Sequence, residues 1–189
     1  LRTVGATGQR VRVNIRMKIV PQEYENYQSD LMDFSGDFRE ELRRLKWGVN
    51  PTTAENMIAG WQRFPHLELT GYHTHLGRLS QQVVHRADYD REFARVITQI
   101  FRNTGFAPTV IDLGGGWPRE RDPESRTLER NRHVIEDYAK ATCEALLGEF
   151  ESAGMSPPAL WLEPGRYIAG NAAVLLTTIE STKHEDGLT

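Results

Sequence analysis

The sequence has one cysteine, no long apolar run and no excess of positive charge, and each of these absences excludes a class of protein. Because Cys143 has no partner in the chain, an internally disulfide-bonded secreted fold is excluded, and a reducing compartment such as the cytoplasm is expected. We expect Cys143 to lie in a helix as a small buried hydrophobic residue. The longest apolar run, residues 172–176, is too short to cross a bilayer, so no membrane partner is expected.

The charge is nearly balanced. The 23 Lys and Arg residues and 26 Asp and Glu residues give a net charge of −3, and the basic residues are scattered among acidic ones. A protein that binds nucleic acid or another polyanion would show a basic patch, so such a partner is not expected. The 189 residues, 39% of them hydrophobic, are enough to bury the core of one globular domain.

The periodicity of apolar residues predicts four strands separated by helices. Strict alternation predicts a strand at residues 10–20, and apolar runs predict strands at 67–76, 109–113 and 159–162. Helical spacing predicts helices at 38–45, 50–64, 88–104 and 134–150, with Asn50 as an N-cap and Gly105 ending the third. Because no two strands are joined by a short hairpin, the expected class is α/β with a parallel sheet.

Residues suited to chemistry follow three of these strands. Gly114, Gly115 and Gly116 follow the third strand, where glycines can turn successive N–H groups toward a phosphate or simply form a tight turn. His73 and His75 are two residues apart at the end of the second strand. They are either two metal ligands, completed by Asp112 or Glu163, or one packed and one hydrogen-bonded histidine.

A carboxylate and a guanidinium follow the fourth strand, in the sequence Glu163-Pro164-Gly165-Arg166. The proline and glycine predict a sharp turn that holds the two charges beside one pocket, and a surface ion pair is the alternative. Opposite charges kept apart in this way suit a ligand that carries both a cationic ring nitrogen and a phosphate.

Four segments in this order resemble a known family. They are Lys-Trp-Gly-Val at 46–49, Gly-Tyr-His-Thr-His-Leu-Gly at 71–77, Asp-Leu-Gly-Gly-Gly at 112–116 and Leu-Glu-Pro-Gly-Arg-Tyr at 162–167. The set resembles the pyridoxal-phosphate-dependent amino-acid decarboxylases of the alanine-racemase-like fold, which include the diaminopimelate, ornithine and arginine decarboxylases, and it is most similar to the diaminopimelate type. The resemblance covers residues from about 10 to about 179.

The resemblance implies pyridoxal 5′-phosphate as the cofactor, no metal, and a small amino acid, basic or dicarboxylic, as the substrate. His75 and Glu163 would be catalytic, with His75 stacked on the pyridine ring and Glu163 paired with its nitrogen. Gly114, Gly115, Gly116 and Gly165 would contact the cofactor. Arg166 would bind either the phosphate or a substrate carboxylate.

The resemblance also implies that the chain is part of a longer protein. The family's Schiff-base lysine would precede Leu1, and its carboxyl-terminal β-domain, which completes the site across a homodimer, would follow Thr189. We therefore expect residues 1–180 to form about strands five to eight of a (β/α)8 barrel, and residues 181–189 to begin the connection to the second domain. Arg78 stands where the family usually has a phosphate-contacting serine.

Two other functions are also compatible with the sequence. A metal-dependent barrel hydrolase would use His73 and His75 with an acidic residue as metal ligands, but it leaves the triple glycine and Arg166 without a role. A pyridoxal-phosphate-binding relative without catalytic activity is the other, and Arg78 is the residue that suggests it.

Overall fold

A four-stranded parallel sheet is the central element of the computed structural model, which describes residues 8–25, 38–77, 82–119, 133–170, 172–174 and 176–184. Its strands are β1 (Val11–Arg16), β2 (Leu67–His73), β3 (Val110–Asp112) and β4 (Ala159–Trp161). They lie side by side in chain order, and each pair is parallel. The predicted α/β class with a parallel sheet is confirmed, and all four carboxyl ends lie at one edge.

Helices connect these strands. The described residues form five α-helices: α1 (Phe38–Arg44), α2 (Pro51–Ala59), α3 (Val83–Thr104), α4 (Ile135–Ser152) and α5 (Gly165–Ala169). Short 3-10 segments cover Glu23–Glu25 and Trp61–Arg63. Among the helices described, none is long and apolar enough to cross a membrane.

The predicted helix ends agree with the structure at two positions. Asn50 caps α2, because its side-chain oxygen accepts a hydrogen bond from the N–H of Thr53 at 2.8 Å. Gly105 ends α3 with a φ of 74°, a left-handed conformation that favours glycine. The helix predicted at 50–64 is interrupted at Gly60, after which the chain continues as the 3-10 segment.

Helix α3 begins five residues before its predicted start at Asp88. The apolar pattern does not include this first part because an arginine at position 86 is expected to face solvent. Arg86 is in fact fully buried, and its Nε lies 2.8 Å from Oδ2 of Asp90. A buried charge in an ion pair interrupts a hydrophobic pattern without interrupting the helix.

The core lies between the sheet and helices α3 and α4. Its buried side chains include Ile15, Tyr72, Phe93, Ile97, Ile111, Leu113, Tyr138, Leu146 and Phe150. The prediction that Cys143 is buried is wrong, because its side chain is exposed. Tyr138, Thr142 and Leu146 recur every four residues on the buried face of α4, and Cys143 is turned away from that face.

Strand β1 ends earlier than predicted, but its apolar residues lie on the predicted face. Beyond Arg16, Met17 makes an isolated parallel bridge with Val49, so the Lys-Trp-Gly-Val segment lies beside the end of β1. The side chains of Ile15, Met17 and Ile19 are buried, as the alternation predicts. The register of the sheet aligns Arg16, His73, Asp112 and Trp161 in one row across the four strands, next to the carboxyl edge.

Candidate cofactor-binding site

Two histidines lie at the carboxyl end of β2. His73 is the last residue of the strand, and His75 follows after the buried Thr74. Thr74 is fixed by two hydrogen bonds of its hydroxyl group, one with the Met17 carbonyl at 3.2 Å and one with the Tyr89 hydroxyl at 2.6 Å. With Thr74 fixed between them, His73 and His75 project to the same side of the chain. Their ring centres are 6.4 Å apart, and the planes of the two rings are steeply inclined to each other.

His75 contacts two other predicted site residues. Its Nδ1 accepts a hydrogen bond from the N–H of Gly115 at 3.2 Å, and the same atom lies 4.0 Å from Oε2 of Glu163. The His75 side chain is 33% exposed and that of Glu163 is 56% exposed. A flat ring and a carboxylate are therefore adjacent and both open to a ligand at this rim.

Both histidines are neutral near pH 7. Burial lowers the pKa of His75, and the positive charge of Arg16 lowers it further. Burial also lowers the pKa of His73, an effect that the nearby carboxylate of Asp112 partly offsets. Because Nδ1 of His75 accepts a hydrogen bond, the neutral ring carries its proton on Nε2. The contact between His75 and Glu163 is therefore not an ion pair at neutral pH.

We expect these partly buried neutral imidazoles to make stability depend on pH. Since their pKa values are lower in the folded than in the unfolded chain, the unfolded chain binds more protons as the pH falls below about 6.5. The urea concentration at the unfolding midpoint of the whole protein should therefore decrease when the pH is lowered from 7.5 to 5. His73→Gln should flatten this dependence, whereas His66→Gln, at an exposed position, should leave it as in the parent protein. If the urea midpoint changed equally with pH in the parent protein and both variants, the prediction would be contradicted.

The glycine tract forms a tight loop between the histidines and Glu163. Gly114 and Gly116 have φ values of 65° and 86°, which L side chains rarely adopt. A methyl group on Gly115 would collide with the carbonyl oxygen of Glu163, and one on Gly116 with the carbonyl oxygen of Gly77. Glycine is required here because the backbone of the loop passes directly against two neighbouring segments.

Two N–H groups of this loop already have partners within the chain. The N–H of Gly114 donates to Oδ1 of Asp112 at 2.8 Å, and that of Gly115 donates to His75. The bond to Asp112 is local, since the two residues are two apart in the chain, and an aspartate before a glycine turn could have suggested it. The bond to His75 depends on how β2 and β3 meet in the fold and could not be anticipated. A phosphate contact through the Gly115 N–H requires the His75 ring to release that bond.

The turn after β4 holds Glu163 against the loop. The N–H of Glu163 donates to the Gly114 carbonyl at 3.0 Å, and the N–H of Gly165 donates to the Glu163 carbonyl at 2.8 Å. Gly165 and Arg166 begin the short helix α5, and both are exposed. The structure thus brings His73, His75, Gly115 and Glu163 together and places Arg166 in helix α5, three residues after Glu163 in the chain. Arg78 lies outside the described residues.

Arg16 is a residue of this site that the sequence motifs did not single out. Arg16 is the last residue of β1, is paired in register with His73, and acts electrostatically on both histidines. Its position on the polar face of β1, near the carboxyl end, was the signal that could have identified it, because polar site residues of parallel barrels lie there.

The chemistry of the donor groups suits a planar, charged cofactor. Nε2 of His73 is buried without a hydrogen-bond partner among the described residues, so an acceptor or donor group at this rim would satisfy it. Glu163 offers a carboxylate to a ring nitrogen, and His75 offers a flat face. One donor atom each from His73, His75 and Glu163 lie within 4.8 Å of one another, which would also suit a metal ion.

The parallel sheet and the residues at its carboxyl edge define a cofactor-binding α/β domain. Comparison with known families makes this more specific: the chain belongs to the family "Pyridoxal-dependent decarboxylase, pyridoxal binding domain", which matches residues 17–170. The resemblance inferred from the four motifs is confirmed, and pyridoxal 5′-phosphate is the cofactor of this domain.

Curated relatives and solved structures agree with this assignment. The chain is 33% identical over 148 residues to diaminopimelate decarboxylase of Pseudomonas fluorescens, covering 77% of this chain and 32% of the relative. It is 29% identical to the enzyme of the same name from Halalkalibacterium halodurans, covering 93% of this chain and 38% of that one. A crystal structure of diaminopimelate decarboxylase from M. jannaschii with L-lysine has the same fold, with a TM-score of 0.66 at 18% identity over 87% of this chain and 35% of that chain. The chain therefore spans about a third of the length of these relatives.

Proposed function

We propose that this chain is the pyridoxal-phosphate-binding part of a longer amino-acid decarboxylase of the diaminopimelate type. The observation that carries the proposal is the contact between His75 and Glu163 across Gly115, at the carboxyl edge of the sheet. In this proposal residues 1–180 belong to the barrel domain, and residues 181–189 lead toward a second domain.

Glu163 and His75 have separate tasks in this mechanism. Bound pyridoxal phosphate supplies an electron sink for the electron pair left when a substrate carboxylate departs as CO₂. The Glu163 carboxylate holds a proton at the pyridine nitrogen, because an opposite charge nearby favours the protonated ring. The neutral ring of His75 would hold the cofactor by offering a flat face to it. His75 and Glu163 are the catalytic residues of the proposal.

The glycines and Arg166 bind the charged groups. Gly114, Gly115, Gly116 and Gly165 let the backbone approach the cofactor phosphate without side chains between them. Arg166 binds either this phosphate or a substrate carboxylate, since its planar guanidinium suits both. Arg16, at the end of β1, adds a second positive charge near the histidines.

The substrate is an amino acid with a basic or second acidic group. Support comes from the relatives: two are named as diaminopimelate decarboxylases, and the M. jannaschii structure contains L-lysine. We propose further that the whole protein is a cytoplasmic homodimer. The family resemblance supports the dimer, and a single, exposed and unpaired cysteine agrees with the cytoplasm.

An absorption spectrum of the whole protein tests the proposed function. A cofactor bound through a lysine absorbs in the visible range, and this band disappears on borohydride reduction. Stoichiometric zinc without such a band would instead favour the metal-dependent hydrolase, for which the relatives give no support. Reversible aldehyde binding that borohydride does not trap would indicate a relative without catalytic activity.

Glu163→Gln should lower turnover by about tenfold or more, because a neutral amide cannot hold the pyridine nitrogen protonated and a hydrogen bond to a charged group contributes roughly 1.5–3 kcal/mol. Cofactor binding should change little. Steady-state kinetics of the whole protein at saturating cofactor give the measurement. Glu144→Gln, on the exposed face of α4, is the matched control. Turnover equal to that of the control would remove Glu163 from the mechanism.

A further inference from the structure

A fully buried arginine lies behind the glycine loop. Arg86, in the first turn of α3, is 0% exposed, and its Nε donates to Oδ2 of Asp90 at 2.8 Å. Its two terminal amino groups have no hydrogen-bond partner among the described residues. Burying a guanidinium costs free energy unless another group compensates its charge. The groups that contact its flat face can supply part of this compensation.

That face is covered by Trp117, the residue directly after the triple glycine. The guanidinium carbon lies 4.0 Å from the centre of the indole ring, which is the geometry of a cation–π interaction. Trp117 is itself only 3% exposed. Because both groups are shielded from water, this interaction is stronger than it would be at the surface.

Trp117 also closes the glycine loop. Its indole N–H donates to the Gly114 carbonyl at 3.0 Å, and the same carbonyl accepts the N–H of Glu163. The first peptide of the loop is thus held from both sides, by a side chain at the end of the loop and by the turn that carries Glu163. Removing the indole N–H leaves the bond from Glu163 in place.

The arginine is anchored in turn by helix α4. Oδ2 of Asp90 accepts hydrogen bonds from both Arg86 and the hydroxyl group of Thr142, the latter at 2.7 Å. A continuous line of contacts therefore runs from Thr142 through Asp90 and Arg86 to Trp117 and ends at the Gly114 carbonyl.

We propose that Trp117, held in place by Arg86, is a positioning residue that fixes the Gly114–Gly116 loop in its phosphate-binding conformation. The inference rests on the proposed function, since it requires that the loop receives the cofactor phosphate. Glycines sample many conformations, so a loop of three would lose much entropy on binding unless another group had already ordered it. Trp117 supplies that order from within the buried core.

The test compares pyridoxal 5′-phosphate with pyridoxal, which lacks the phosphate. Trp117→Phe keeps an aromatic ring over Arg86 but removes the N–H that holds the loop. In the whole protein the affinity for pyridoxal 5′-phosphate should fall by about three- to tenfold, the usual effect of one lost hydrogen bond, whereas that for pyridoxal should change less than about twofold. Trp61→Phe is the matched control, because the Trp61 N–H donates to the Leu67 carbonyl at 3.3 Å, on β2 rather than on the glycine loop.

A second variant tests the part of Arg86. In Arg86→Met/Asp90→Leu both buried charges are removed together, which proteins often tolerate, so the chain should fold while Trp117 loses its stacked cation. The ratio of the two affinities should shift in the same direction as in Trp117→Phe. The ³¹P resonance of the bound cofactor should also move in both variants and stay unchanged in the control.

The outcomes separate this inference from the proposed function. If the parent protein binds pyridoxal 5′-phosphate no better than pyridoxal, the proposed phosphate site itself is wrong. If the parent discriminates between them and Trp117→Phe does so equally well, the loop does not depend on Trp117 and the inference fails. An equal loss for both ligands would show a general structural defect and would also overturn it.

Discussion

Replacing Gly116 by alanine should lower the affinity for pyridoxal 5′-phosphate by about thirtyfold or more. A residue other than glycine in the left-handed backbone conformation costs roughly 1–2 kcal/mol, and a methyl group without room adds about 1–3 kcal/mol. Both costs apply here. Gly116 has a φ of 86°, and an added methyl group would collide with the backbone of Gly77. The backbone cannot rotate away like a flexible side chain, so the loop must move out of its present position.

Gly105→Ala provides the matched control for this experiment. Gly105 has a similar φ of 74°, but a methyl group there would meet nothing within 4 Å. It should therefore cost stability through strain alone and leave cofactor affinity unchanged. Equilibrium titration of the whole protein with pyridoxal 5′-phosphate, together with urea unfolding, distinguishes the two effects. An affinity in Gly116→Ala equal to that in the control would show that the loop does not contact the cofactor.

The arrangement of the strands and of the main site residues could be predicted from the sequence because both follow from local patterns. Alternation and apolar runs located the strands, and parallel strands necessarily bring their carboxyl ends to one edge. His75, Gly115 and Glu163 each follow a different strand, so their proximity followed from the topology alone. Their roles toward the cofactor remain predictions.

What the sequence could not show depends on contacts between segments that are distant in the chain. Arg86 looks like a surface residue until Asp90, Trp117 and Thr142 are placed around it. The N–H group of Gly115 seemed available for a phosphate, and only the packing of β2 against β3 assigns it to His75. Arg16 belongs to the site because of the register between β1 and β2, which the alternation within β1 does not specify.

The buried pair behind the loop differs from the surface pairs on the same helix. Arg86 and Asp90 are both fully buried, whereas the Arg95 side chain, which forms two hydrogen bonds with Glu92, is 59% exposed. Burial raises the pKa of Asp90, and the charge of Arg86 and the hydrogen bonds from Arg86 and Thr142 partly counter that effect. Without Arg86 the carboxylate would be left with the cost of burial and one neutral hydrogen bond.

Arg86→Met alone should therefore destabilise the protein by about 3–5 kcal/mol, the usual cost of leaving one charge of a buried pair uncompensated. Arg86→Met/Asp90→Leu should recover most of this loss, and Arg95→Met should cost only about 1 kcal/mol or less. Urea unfolding of the three variants gives the comparison.

The loss in Arg86→Met should also depend on pH. With Arg86 gone, the pKa of Asp90 is raised further in the folded protein, which then binds a proton that the unfolded chain has already released. The stability of the variant therefore falls as the pH rises from the pKa of Asp90 in the unfolded chain to its higher pKa in the folded protein. The difference in stability between the variant and the parent protein should be smaller at pH 5 than at pH 8. Equal losses at both pH values, or no recovery in the double variant, would show that Asp90 is not the charge that Arg86 compensates.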